Sequence, residues 1–144
     1  MLNYSEIDVG DELPGIESMS TLKDVKAFLT VWHGGVDSSE TRFTDAATAQ
    51  ATGFGGDNAI VPGPMGLCLL ARGIFQWLPE ARLEKLDVVF RSPTFQNTKH
   101  LTKGIVTDRS EDDTEIRLEL DVYLEREDGQ HPQRGAAVVV LPKS

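Results

Sequence analysis

The sequence predicts an α+β fold in which an antiparallel β-sheet curls around one long central helix. Three observations carry this. Met65 to Leu78 is almost wholly apolar; Ile116 to Glu125 alternates strictly between apolar and polar residues; and helical patterns precede Pro79 while strand patterns follow it.

The first helix opens at Thr21 with Asp24 three residues on, an N-terminal capping pair. Val25, Phe28, Leu29 and Trp32 then share one face, and Gly34-Gly35 stops it. Asp45 to Thr52 is a short Ala-rich helical stretch closed by Gly53. The long helix enters through Gly63-Pro64, where proline's missing N–H costs nothing. With almost no polar face from Met65 to Leu78, it is expected to be wrapped by other structure, and Pro79 ends it. Cys68, inside that helix, is expected to be an inert core thiol. Trp32 and Trp77 are expected to be core or interface aromatics.

The strands follow. Leu86, Val88 and Phe90 alternate with Asp87, Val89 and Arg91, and Leu101 to Asp108 is a second run. After the polar turn Ser110 to Asp113, Ile116, Leu118, Leu120, Val122 and Leu124 alternate with Arg117, Glu119, Asp121, Tyr123 and Glu125. Asp128-Gly129 signals a hairpin, and Ala136 to Leu141 returns. Strands joined by short turns pair antiparallel, because a parallel pair needs a long crossover. A sheet of this kind around a buried helix matches a hotdog fold.

At 144 residues the chain reads as a single domain spanning 1–144, long enough to bury a core without staples. The formal net charge of −9 argues against nucleic acid as a partner, since that interaction relies on neutralising phosphates. One cysteine excludes an intrachain disulfide and a Cys-rich zinc site. His33, His100 and His131 lack metal-ligand spacing, so no metal is expected. The opening residues lack a signal-peptide pattern and no apolar run reaches membrane-spanning length, so a cytoplasmic location with no membrane partner is the expectation. Gly53-Phe54-Gly55-Gly56 is not a dinucleotide loop, since no strand precedes it. Ser38-Ser39 lacks the Gly-x-Ser-x-Gly setting of a hydrolase elbow.

Several segments resemble the MaoC-like proteins, the hotdog family of (R)-specific enoyl-CoA hydratases and acyl dehydratases. They are Tyr4 to Leu13; Asp45, Ala49 and Gly53-Phe54; Ile60 to Met65; Leu86 to Pro93; and Gly135 to Pro142. Their order and spacing, more than any one piece, make the similarity, which runs from about residue 4 to residue 142. The resemblance implies a homodimer, or a heterodimer with a catalytic MaoC-like chain, holding an acyl thioester between subunits. Coenzyme A or an acyl carrier enters as part of the substrate, and no cofactor is implied. It further implies a catalytic Asp-x-x-x-x-His-x-Asp stretch between the first helix and the Ala-rich one. Here the sequence departs: anchored on Asp45, Phe43 stands at the histidine and Ser38 at the aspartate, with Asp37 one residue out of register.

Hydrating a conjugated thioester needs proton transfer, worth about 10²–10⁴ in rate. It also needs a donor for the charge that builds on the carbonyl oxygen, worth about 2.7–4 kcal/mol. The second element is retained in the resemblance: the backbone N–H of Gly63, at a helix N-terminus with its unpaired donors and positive dipole end, is the oxyanion candidate. The first is not, because phenylalanine transfers no protons and an unactivated serine is a weak base. Asp37 with His33, flanking the same Gly-Gly loop, is the candidate replacement. Against it, His33 complements a helix C-terminus and Asp37 suits a turn. Phe43, Ser38, Ile60, Val61 and Met65 are the candidate acyl-binding residues. Arg91 and Lys99, with Lys103, are expected to cluster on two adjacent strands and meet coenzyme A phosphates; a solvated strand face is the competing reading.

The favoured reading is a non-catalytic or weakly active subunit of a hydro-lyase. Its alternatives are a self-sufficient hydratase using Asp37, and a hotdog dimer that binds a ligand without chemistry. A thioesterase using Asp57 fits the motif pattern less well.

Overall fold

The structure, a computed structural model, describes residues 2–32, 43–44, 46–51 and 58–143. It has the hotdog fold. Strands β1 (Glu12–Met19), β3 (Arg82–Phe90), β5 (Lys99–Glu111), β6 (Glu115–Arg126) and β7 (Gln133–Pro142) form one antiparallel sheet in the order β1-β5-β6-β7-β3. Two short strands, β2 (Ile60–Val61) and β4 (Thr94–Phe95), pair separately. Helices α1 (Leu22–Trp32), α2 (Ala46–Ala51) and α3 (Gly63–Trp77) complete the chain.

The period-two segment becomes the central strand. Ile116, Leu118, Leu120, Val122 and Leu124 of β6 are all buried, each such side chain contributing about 1.5–3 kcal/mol. The turn before β6 is built by Asp112, whose Oδ1 accepts from the Thr114 and Glu115 N–H groups at 2.8 and 2.9 Å. These bonds hold its carboxyl below the usual carboxylate range. The next turn places Gly129 at φ +82°, the left-handed conformation glycine adopts without strain.

Hairpin pairing holds for β5, β6 and β7, but β3 does not lie beside β5. The chain between them is diverted into β4, which pairs with β2, and β3 instead pairs with β7 at the sheet's far edge.

Helix α3 crosses the sheet along one row of cross-strand partners: Phe90, Gln133, Leu124, Thr102 and Ile16. Its glycines make the close approach. A Cβ on Gly63 would lie 2.6 Å from the Phe90 ring, and one on Gly73 would lie 2.5 Å from Thr102 Cγ2. Gly66 packs on the Gln133 amide in the same way. Leu70 and Ile74 fill the space between, fully buried.

The expectation that this helix is enclosed on nearly all sides is corrected. The sheet covers one face only, and helical spacing turns Cys68, Arg72, Phe75 and Gln76 outward. Cys68 is therefore exposed, not a core thiol. Trp77 packs half-buried on the core, while Trp32 is half-exposed, edge-to-face with Phe28 at 5.3 Å.

Candidate functional site

Helix α3 begins at the edge of a cleft of about 290 Å³. Its first turn is set by Pro62, whose carbonyl accepts from the Met65 and Gly66 N–H groups at 3.0 and 3.2 Å. Pro64 has no N–H. Gly63 stands first in the helix, where no intrahelical acceptor exists for its N–H, and it lines the cleft. The terminal amides and the dipole make this a site for a carbonyl oxygen or an anion.

The wall opposite is apolar. Ile60 and Val61 come from β2, and Phe43 packs from the preceding chain against Val25, Leu29 and Val61. Phe90, from the end of β3, lays its ring beside Gly63 yet remains 53% exposed, so it flanks the helix start and leaves the cleft beside it open. Ser92, Thr94 and Gln133 are the polar lining residues, and Arg91 is the one ionisable residue among the described lining. The Arg91 backbone is fixed by its N–H to Pro132 O at 2.8 Å, while its side chain stands exposed with no ion pair among the described residues.

Phe43, Ile60, Val61, Gly63 and Arg91 converge on the cleft. Met65 does not line it, but packs behind the wall with Val25, Leu29 and Phe43. Lys99 and Lys103 do not cluster with Arg91. Both are on β5, three strand positions from β3, a lateral separation of roughly 14 Å. Lys99 pairs with Glu17 at 3.2 Å and Lys103 with Glu125 at 3.1 Å, so neither shares a phosphate with Arg91. His33, Asp37, Ser38, Asp45 and Asp57 lie outside the described residues.

Two residues of the site escaped the sequence reading. Gln96 is buried; its Nε2 donates to the Ile60 carbonyl at 3.1 Å and to the Phe43 carbonyl, and its N–H donates to Ala59 O at 2.9 Å. It ties the Phe43 segment to β2. The next residue, Asn97, adopts φ +57°, which asparagine tolerates where most side chains do not. Gln133 is only 2% exposed and donates Nε2 to Gly63 O at 3.0 Å. No sequence pattern marks either one: Gln96 follows a two-residue strand too short for any period, and Gln133 stands in the polar stretch before Ala136.

His100 is buried away from the cleft, its Nδ1 2.9 Å from Thr98 O. Burial pushes its pKa below the usual imidazole value, so the ring is held neutral.

The arrangement offers an oxyanion-type donor, an apolar wall and a surface cation. Among the described lining residues it offers no group that exchanges protons near neutral pH.

No protein-family model matches the chain, and no curated protein matches it. Solved structures do share its fold. An (R)-hydratase from A. caviae is 23% identical with TM-score 0.80, over 95% of this chain and 98% of that one. A MaoC-like dehydratase from Rhodospirillum rubrum is 16% identical with TM-score 0.81, over 100% and 99%. The ChsH1-ChsH2 complex from Mycobacterium tuberculosis is 17% identical with TM-score 0.72, over 94% and 98%. The architecture is therefore that of MaoC-like dehydratases and (R)-hydratases.

Proposed function

We propose that this chain is a MaoC-like subunit that binds an acyl thioester for hydration or dehydration and has little or no activity by itself. The observation that carries the thioester reading is Gly63 at the start of α3, lining a half-apolar cleft; the low activity is inferred from the sequence, where Phe43 and Ser38 stand at the positions of the family's histidine and aspartate.

In this reading the thioester carbonyl accepts a hydrogen bond from Gly63 N–H. The helix N-terminus then stabilises negative charge as it moves onto that oxygen. The acyl group lies along Phe43, Ile60, Val61 and Phe90, and Arg91 pairs with a phosphate of coenzyme A or of a carrier's phosphopantetheine. The base and acid come from a sister MaoC-like chain across a dimer interface, and the protein acts in the cytoplasm. That one neighbour of this fold was crystallised as a complex of two different chains supports the heteromeric version.

The test is a crotonyl-CoA hydration assay on the purified chain, run beside the A. caviae (R)-hydratase, with thermal unfolding measured at saturating crotonyl-CoA. The expected result is a raised unfolding temperature, since a ligand of the folded state stabilises it by mass action. Turnover is expected at least about 100-fold below the reference enzyme, the lower end of what a positioned acid–base group supplies. Comparable turnover would overturn the subunit reading, and Asp37→Asn would then be expected to cost at least about tenfold. The absence of any thermal shift would overturn thioester binding itself.

A further inference from the structure

Phe43 has two sets of neighbours. It lines the cleft, and it packs against Val25, Leu29 and Val61, a buried cluster built by α1 and β2. Among the described residues only Val61, fixed in β2, shares both settings. Phe43 therefore stands as the partition between the open cleft and the closed apolar space behind it.

The partition is held from its backbone. The Gln96 side chain is 3% exposed, and its amide nitrogen has two donors for two carbonyls, that of Phe43 and that of Ile60 at 3.1 Å. One amide thus joins the two apolar pieces of the wall, Phe43 from the preceding chain and Ile60 from β2, so that they do not part to lengthen the cleft. With the wall closed, the cleft of about 290 Å³ lies at the lower edge of ordinary ligand sites, roughly 300–1,000 Å³, and the thioester itself takes part of it.

We propose that Phe43, fastened by Gln96, ends the acyl cleft and so limits the chain to short acyl thioesters. The inference rests on the thioester reading above. A longer acyl chain has to push the ring into Val25 and Leu29, which are 0% and 3% exposed, or leave its added carbons in water. The first overpacks a filled cluster, and the second buries nothing; neither gains affinity. Phe43 is then the specificity-determining residue and Gln96 the positioning residue that acts through it.

The experiment is calorimetric titration of the full chain with butyryl-, hexanoyl-, octanoyl- and decanoyl-CoA. Each buried methylene tightens binding about fourfold, so affinity is expected to rise at that rate from butyryl to hexanoyl and by less than about twofold from there to decanoyl. Phe43→Ala opens an apolar cavity behind the wall, and such a cavity accepts an apolar ligand. In that variant decanoyl-CoA is expected to bind at least about tenfold more tightly than hexanoyl-CoA. Gln96→Met keeps the ring but removes the tie, and is expected to lift the limit in part; a general loss of structure would instead weaken all four ligands alike. Both variants are checked for folding by circular dichroism. Affinity that climbs steadily to decanoyl in the unaltered chain, or a limit that both variants leave unchanged, would overturn the inference and leave the thioester site standing. Binding of none of the four would overturn both. If neither variant folds, the series in the unaltered chain alone decides.

Discussion

The glycines of α3 differ in what they face, and that decides what each tolerates. Gly73 lies over Thr102, whose β-branched side chain is stiff at χ1 and 2% exposed; a new methyl would sit 2.5 Å from Cγ2 and 3.2 Å from Cβ. Neither atom moves without shifting the strand. Gly63 faces a ring that is half in solvent and free to swing. Gly73→Ala is therefore expected to lower stability by about 1–3 kcal/mol, the range for overpacking a filled core. Gly63→Ala is expected to change it by less than about 1 kcal/mol, helped by the better helix propensity of alanine. Urea unfolding of the two variants checks the difference, and equal losses would contradict the packing argument. In the sequence these glycines are three small residues in a greasy run. Only the row of strand partners beneath them shows which face they occupy, and the same row explains why Gln133 is buried. His131-Pro132-Gln133-Arg134 reads as the polar approach to a strand beginning at Ala136, yet the strand begins at Gln133 and its first side chain lies beneath the helix.

Elements were legible in proportion to the regularity of their patterns. The β6 alternation appears in the structure with all five apolar residues inside. The capping signal of α1 is likewise realised: Asp24 Oδ2 accepts from Thr21 N–H at 2.9 Å, and Thr21 Oγ1 accepts from Asp24 N–H at 3.2 Å. These bonds hold the Asp24 carboxyl below the usual carboxylate range. Thr21→Ala breaks the reciprocal pair and is expected to cost about 1 kcal/mol, with Thr21→Ser restoring most of it; thermal or denaturant melts read the difference. β1 was not legible. Its pairing with β5 is interrupted between Leu13 and Ile16, where Pro14-Gly15 sits. Proline donates no ladder bond and belongs at bulges or edges, so the residues that break the pattern also let the strand bend at the sheet's edge. The two-residue strands β2 and β4 are too short to carry any period. Yet they frame the cleft, so part of the candidate site was invisible to pattern reading.

At the scale of the whole molecule, β3 ends the sheet order, and one side of its backbone has no strand partner among the described residues. Soluble proteins blunt such an edge with proline, with charge or by covering it. β3 contains no proline and exposes Val89, at 57%, and Phe90. Lys85 and Asp87 pair with each other within the chain at 3.9 Å, and the same two charges would complement a second copy. In an antiparallel register centred on Leu86, Lys85 of each chain faces Asp87 of the other, and opposite charges on facing strands attract. Pairing there would continue the sheet from one protomer into the next by an isologous contact, the commonest symmetry among oligomers. Light scattering is then expected to give a mass of twice 15.8 kDa. Lys85→Asp would set two acidic residues against each other on both sides of the axis and is expected to shift the equilibrium toward monomer. Adding Asp87→Lys restores the complement with signs reversed and is expected to recover the dimer. A monomeric parent chain would contradict edge pairing. A dimer indifferent to both exchanges would place the interface elsewhere, and with it the face from which, in the proposed function, a sister chain would bring its base to the Gly63 cleft.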